Sequence, residues 1–129
     1  MFASEARLVR RTLVRALAAF RGAYALEVYL LPKSAMRELN RRFHGKDAPT
    51  NVLSFTSPGK FPHPDLPDAE YRGEVYLCPP VIREREESME HLAVHGLLHL
   101  LGYTHAGKRD TMKMERKEKE LLKRVMGNE

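Results

Sequence analysis

The stretch from His91 to His105, HLAVHGLLHLLGYTH, limits the fold more than any other part of the chain. Leu92, Ala93, Val94, Leu97, Leu98, Leu100 and Leu101 advance at about 100° per residue right round a helix axis. A helix that is apolar on nearly every side belongs at the centre of a domain, not on its surface. Its polar side chains before Tyr103 are His91, His95 and His99, spaced four apart, so the three imidazoles form one stripe. A buried polar group without a partner costs about 1–3 kcal/mol. A metal ion satisfies two such rings at once.

The spacing sharpens this. His95 and His99 are the i, i+4 pair that grips zinc from one helix face. Gly102 can end the helix in a left-handed turn, after which His105 can swing back as a third ligand. The pattern H-x-x-x-H-x-x-G-x-x-H has the ligand spacing of the metzincin proteases, with Gly96 where they carry a glutamate base. Gly96 is expected to leave room beside the metal while supplying no base. Three histidines leave a fourth position open, which is the catalytic arrangement and not the structural one. His91 and His99 lie two turns, roughly 12 Å, apart on a straight helix, so they cannot share one ion. His91 is therefore assigned to a supporting position behind the ligands or to a hydrogen bond in the core.

The length of 129 residues suits one domain, 1–129, with a substantial core. No run approaches the roughly 20 apolar residues of a membrane span, so no membrane partner is expected. Cys78 is the only cysteine, which excludes an internal disulfide and suits a reducing, cytoplasmic setting. Beside Val75 and Leu77 it reads as a small buried filler of a strand. The net charge of +5 favours a polyanionic partner.

Along the chain, Ser4 is expected to cap a first helix running to about Phe20, with Leu8, Leu13, Leu17 and Phe20 inward. Arg7, Arg10, Arg11, Arg15 and Arg21 make this segment basic. A solvated face, contact with a nucleic-acid backbone and an organellar transit peptide all fit that composition, although Glu5 and the need to cover the following sheet argue against cleavage. Residues 25–31 read as a strand. Ser34 starts a helix through about Phe43, and Val52 to Phe55 reads as a short strand. The proline-rich residues 57–68 are expected to form an exposed irregular loop near the site. Arg72 to Cys78 forms a further strand ended by Pro79 and Pro80. The charged residues 83–87 are expected to run into the histidine helix without a break. A final helix, Asp110 to about Met126, carries interleaved Lys, Arg and Glu on its wet side, with Met112 or Met114 read as gap-filling core before a floor for the metal site. The reading is an α+β fold: a zincin-like mixed sheet of about three to four strands, flanked by helices, around the buried histidine helix.

Two motifs carry a resemblance. HGLLHLLGYTH, and LNRRFHGKDAPTNVLSF at residues 39–55, resemble the signatures of the YbeY family of bacterial and organellar metal-dependent endoribonucleases. The strand GEVYL, Gly73 to Leu77, and His91 upstream of the ligands are similar to that family too, over about Leu26 to Leu122. The resemblance implies one zinc ion on His95, His99 and His105. It also implies cleavage of single-stranded RNA in ribosome maturation, chiefly at the 3′ end of small-subunit ribosomal RNA, and in ribosome quality control. The small ribosomal subunit is then a partner. The chain departs from the family in carrying His44 where an arginine is usual, Glu74 for an aspartate and Thr104 in place of the acid of GYDH. It also starts at the helix and is expected to have one strand fewer.

Cleavage of a phosphodiester needs a nucleophile, neutralisation of the phosphoryl charge and a proton for the leaving oxygen. His44, and behind it Glu74, are the candidates for proton transfer. His44 could instead cap its helix, and Glu74 could be half of a strand salt bridge. Lys46, Arg7 and Arg11 are candidates to hold RNA phosphates. Two rivals share the histidine pattern: a zinc protease, disfavoured by Gly96, and a non-catalytic RNA- or ribosome-binding protein that keeps zinc for stability.

Overall fold

A helix buried on all sides needs a wall on each of them, and segments from both ends of the chain supply it. The computed structural model describes residues 1–63 and 66–127. Its elements are α1 (Ala3–Leu17), β1 (Tyr24–Leu30), α2 (Lys33–His44), β2 (Val52–His63), β3 (Leu66–Leu77), α3 (Pro79–Glu84), α4 (Met89–Leu100) and α5 (Lys108–Met126). The strands form one mixed sheet in the order β1-β3-β2, with β1 parallel and β2 antiparallel to β3. The α+β architecture of a mixed sheet flanked by helices is thus the one observed, at three strands.

The histidine helix, α4, buries Ala93, Val94, Leu97, Leu98 and Leu100 in a core shared with Val75 and Leu77 of the sheet. Val9, Leu13 and Ala16 enter that core from α1, and Met114, Leu121 and Val125 from α5. Burying each large apolar side chain contributes roughly 1.5–3 kcal/mol. Alternation along β3 sends Val75 and Leu77 toward α4 and Glu74 and Tyr76 to the other face. There α2 packs Met36 and Leu39 beside Cys78, Val81, Leu53 and Tyr76.

Several local expectations are corrected. Residues 57–68 are not an irregular loop: β2 and β3 extend as a hairpin to His63 and from Leu66, leaving only 64 and 65 outside the described residues. Strand β2 is an edge, and its register against β3 slips between Thr56 and Phe61, so Pro58 falls where no ladder bond to β3 is required. The run from Arg83 into the histidine helix is broken. Glu86 adopts φ 55°, and Ser88 starts α4 afresh, its hydroxyl accepting from the His91 amide at 3.1 Å. Pro79 and Pro80 end the strand and open α3, where a missing N–H costs nothing. Ser4 and Ser34 lie inside their helices, which begin after Phe2 and Pro32. The inner stripe of α1 is Val9, Thr12, Leu13 and Ala16, and the helix stops at Leu17.

Candidate metal centre

His95 and His99, one turn apart on α4, bring their Nε2 atoms within 3.1 Å of each other. Helix α4 ends in a Schellman turn. The Tyr103 amide donates to the Leu98 carbonyl at 3.0 Å and the Gly102 amide to that of His99 at 3.2 Å, with Gly102 at φ 99°. This reversal returns His105 to the pair, its ring centroid 5.3 Å from that of His95 and 5.2 Å from that of His99. One nitrogen from each of the three rings lies within 4.8 Å of the others.

The other ring nitrogens fix the tautomers. His99 Nδ1 lies 3.2 Å from the Tyr103 carbonyl, which only accepts, so Nδ1 carries the proton. His95 Nδ1 lies 2.6 Å from Oε2 of Glu118, to which it donates in the same way. In the neutral rings both Nε2 atoms then point lone pairs at one another, an arrangement that a shared cation turns from repulsive to attractive. Burial, and behind it the neighbouring His95 and His105, push the His99 pKa below the ordinary imidazole value and favour the neutral, metal-binding form. Two nitrogens at the usual distance from a tetrahedral zinc stand about 3.3 Å apart. The donor set therefore fits a zinc-like ion held by His95, His99 and His105.

Gly96 does not leave room beside this centre, as the sequence suggested. A Cβ there would lie 2.8 Å from Cγ1 of Val75 and 3.3 Å from Oγ of Ser54. The glycine lets α4 press directly on the sheet, and no longer side chain fits between them.

Of the other expected site residues, His91 comes nearest. Its ring is half exposed, not in the core, with Nε2 3.6 Å from Oε2 of Glu118, too long for a hydrogen bond. Glu74 is not brought to the trio. It lies on the sheet face away from α4, accepting from the Tyr76 hydroxyl at 3.1 Å, because its neighbour Val75 is the one that meets Gly96. His44 is exposed at the end of α2, its ring centroid 6.1 Å from that of Phe55. Lys46 is exposed in the following turn, which is held by the Arg37–Asp47 pair at 2.7 Å and by Asn40 donating to the Ala48 carbonyl at 2.8 Å. Arg7 and Arg11 are exposed on α1, with Arg7 3.5 Å from the Ser4 hydroxyl.

Sequence reasoning missed Glu118. Among the described residues it is the one buried charged residue, at 7% exposure, and it orients His95 through Nδ1. A carboxylate behind a metal-binding imidazole fixes the ring and raises its basicity. In sequence it stands among the alternating charges of α5 and looks like another exposed ion-pair member. Only its spacing from Met114 and Leu121 places it on the inner face of that helix.

Comparison with known proteins identifies the family. The family model described as Endoribonuclease YbeY matches residues 3–126. A protein of that name from Alkalilimnicola ehrlichii is 41% identical, the match covering 88% of this chain and 73% of the relative. Others of that name, from Pseudoalteromonas translucida and a Chelativorans species, are 34% and 40% identical, covering 84% and 76% of this chain. The chain spans 74% and 64% of their respective lengths. Among solved structures, the solution structure of a Thermotoga maritima protein matches with a TM-score of 0.63 at 28% identity, covering 97% of this chain and 83% of that one. With a family model matched across nearly the whole sequence and relatives above 30% identity, the chain belongs to the endoribonuclease YbeY family.

Proposed function

We propose that this protein is a zinc-dependent endoribonuclease that cuts single-stranded RNA, in the setting of ribosomal RNA maturation at the 3′ end of the small-subunit RNA and of ribosome quality control. Its partners are then ribosomal RNA and the small ribosomal subunit, in the cytoplasm. The observation that carries the reading is the convergence of three imidazoles, two of which, His95 and His99, have their Nε2 lone pairs freed by Nδ1 contacts to Glu118 and the Tyr103 carbonyl. Family membership supports RNA as the substrate. Among the described residues no helix is long and apolar enough to cross a membrane.

His95, His99 and His105 are the residues that would hold the metal. When bound, the ion supplies Lewis acidity toward a phosphoryl oxygen. The chain's own contribution is to aim the two helical imidazoles, through the Glu118 carboxylate behind His95 and the Tyr103 carbonyl behind His99. His44, exposed at the end of α2, is the side chain assigned to move a proton to or from the reacting oxygens. Lys46, with Arg7 and Arg11 on α1, is assigned to RNA phosphates.

The test joins elemental analysis to cleavage of a labelled single-stranded RNA and of casein, with and without chelator. The reading expects about one zinc per chain, and RNA cleavage that chelator abolishes and zinc restores. His95→Ala should lose cleavage and keep its far-ultraviolet circular dichroism, because the core is packed from apolar side chains of α1, α4, α5 and the sheet. Casein cleavage with intact RNA would shift the reading to a protease. Unfolding on chelation, with no RNA cleavage at any stage, would leave a structural zinc.

A further inference from the structure

We propose that the first two and a half turns of α5 carry a track for the phosphate backbone of single-stranded RNA, leading away from the metal centre. This rests on the RNA-cleaving reading above and adds a surface to it. Lys108, Arg109, Lys113 and Arg116 are exposed, and at helical spacing they fall on one stripe around the exposed Met112. The stripe begins three residues beyond His105. The ammonium of Lys113 lies 6.0 Å over the ring of Tyr103, the residue whose carbonyl orients His99. The cations are therefore continuous with the site.

These four side chains differ from the cations that are held in ion pairs. Arg37, Arg41, Arg72, Arg83 and Lys117 each hold a carboxylate. None of the four α5 cations has a carboxylate within ion-pair distance among the described residues. Asp110, the acid of the first turn, is directed to the Thr104 hydroxyl at 3.4 Å, and Glu115 falls at the margin of the stripe. An unpaired row of cations beside a centre that cleaves phosphodiesters matches the charge of the substrate's backbone. Phosphate contacts of this kind position a strand without reading its sequence.

The experiment compares Arg109→Glu/Arg116→Glu with a charge-matched control, Arg21→Glu/Arg85→Glu, whose sites are exposed elsewhere. The probe is a fluorescein-labelled single-stranded oligoribonucleotide, read by anisotropy at several salt concentrations, with its integrity checked on a gel. Bound metal is measured in each protein. The track variant should bind at least tenfold more weakly, and the slope of log affinity against log salt should fall by about 1.4, two phosphate contacts at about 0.7 each. Its KM should rise with kcat and metal content preserved, while the control stays within about twofold of the parent. Equal binding by the track variant and the parent overturns the proposal. So does an equal loss in both variants, which would assign the effect to net charge, or a loss of metal in the track variant. Cleavage of the RNA by the parent protein separately decides the reading on which the proposal rests.

Discussion

Oε2 of Glu118 lies 2.6 Å from Nδ1 of His95, across 23 residues of sequence and between two helices. The same oxygen is 3.6 Å from Nε2 of His91, so one buried carboxylate faces both the first and the second histidine of the α4 stripe. Glu118→Gln keeps a hydrogen-bond acceptor but removes the negative charge behind the His95 ring. Metal affinity, measured by competition with a chromophoric chelator, should fall about 10- to 100-fold while the fold is retained. An unchanged affinity would show that His95 is held by packing alone.

Gly96 and Val75 form a second coupled pair. An added Cβ at 96 would sit 2.8 Å from Cγ1 and 3.1 Å from Cγ2 of Val75, a β-branched side chain with little rotamer freedom. Overpacking costs about 1–3 kcal/mol, against about 1 kcal/mol gained by alanine over glycine in a helix. Gly96→Ala should therefore destabilise the protein by up to about 2 kcal/mol in urea denaturation. Val75→Ala removes the obstructing methyl groups, so the double variant should be more stable than the sum of the two single losses. Simple additivity would place the strain elsewhere.

These two pairs mark the limits of what was legible in the sequence. The ligand trio could be read because its signal is local: an i, i+4 pair, then a glycine that turns the chain, then a third histidine, all within eleven residues. Burial of α4 was equally legible, since Leu97, Leu98, Leu100 and Val94 leave only the histidine stripe to face solvent. Glu118 was not, because its partner lies on another helix and its own neighbours are lysines and glutamates typical of a solvated surface. Gly96 was read as an empty space for want of knowledge of what faces it. The hairpin through Pro58 and Pro62 was read as a loop because proline opposes ladder bonds, but an edge strand with a slipped register makes fewer of them. Ser88 was passed over as a cap because the charged residues 83–87 were read as the exposed first stretch of the same helix.

The tyrosines on the far side of the sheet give stability a dependence on alkaline pH. Burial, followed by the hydrogen bond to Glu74, pushes the Tyr76 pKa up to about 12, and burial with the bond to Glu27 raises that of Tyr71 as well. Unfolded tyrosine titrates near 10. The folded state thus keeps protons that the unfolded state releases first, and the contribution is full below about pH 10 and lost as pH rises from there toward 12. Urea midpoints should fall over that window more steeply in the parent protein than in Tyr76→Phe. Parallel curves for the two proteins would remove Tyr76 from the account.

Gly102 links backbone geometry to metal binding without touching the ion. At φ 99° it allows the amides of Gly102 and Tyr103 to close back on the last turn of α4, and that closure both offers the Tyr103 carbonyl to His99 and returns His105 to the helix. A side chain in this conformation costs about 1–2 kcal/mol. Gly102→Ala should lose about that much stability. If the turn relaxes to recover it, His105 moves away, and metal affinity should fall with all three ligands still in the sequence. Gly102→Asn should lose less of both, since asparagine accepts positive φ more readily than alanine. Chelator competition and urea denaturation on the same samples separate the two effects. Loss of stability at unchanged affinity in Gly102→Ala would show that His105 is placed by the start of α5 and not by the end of α4.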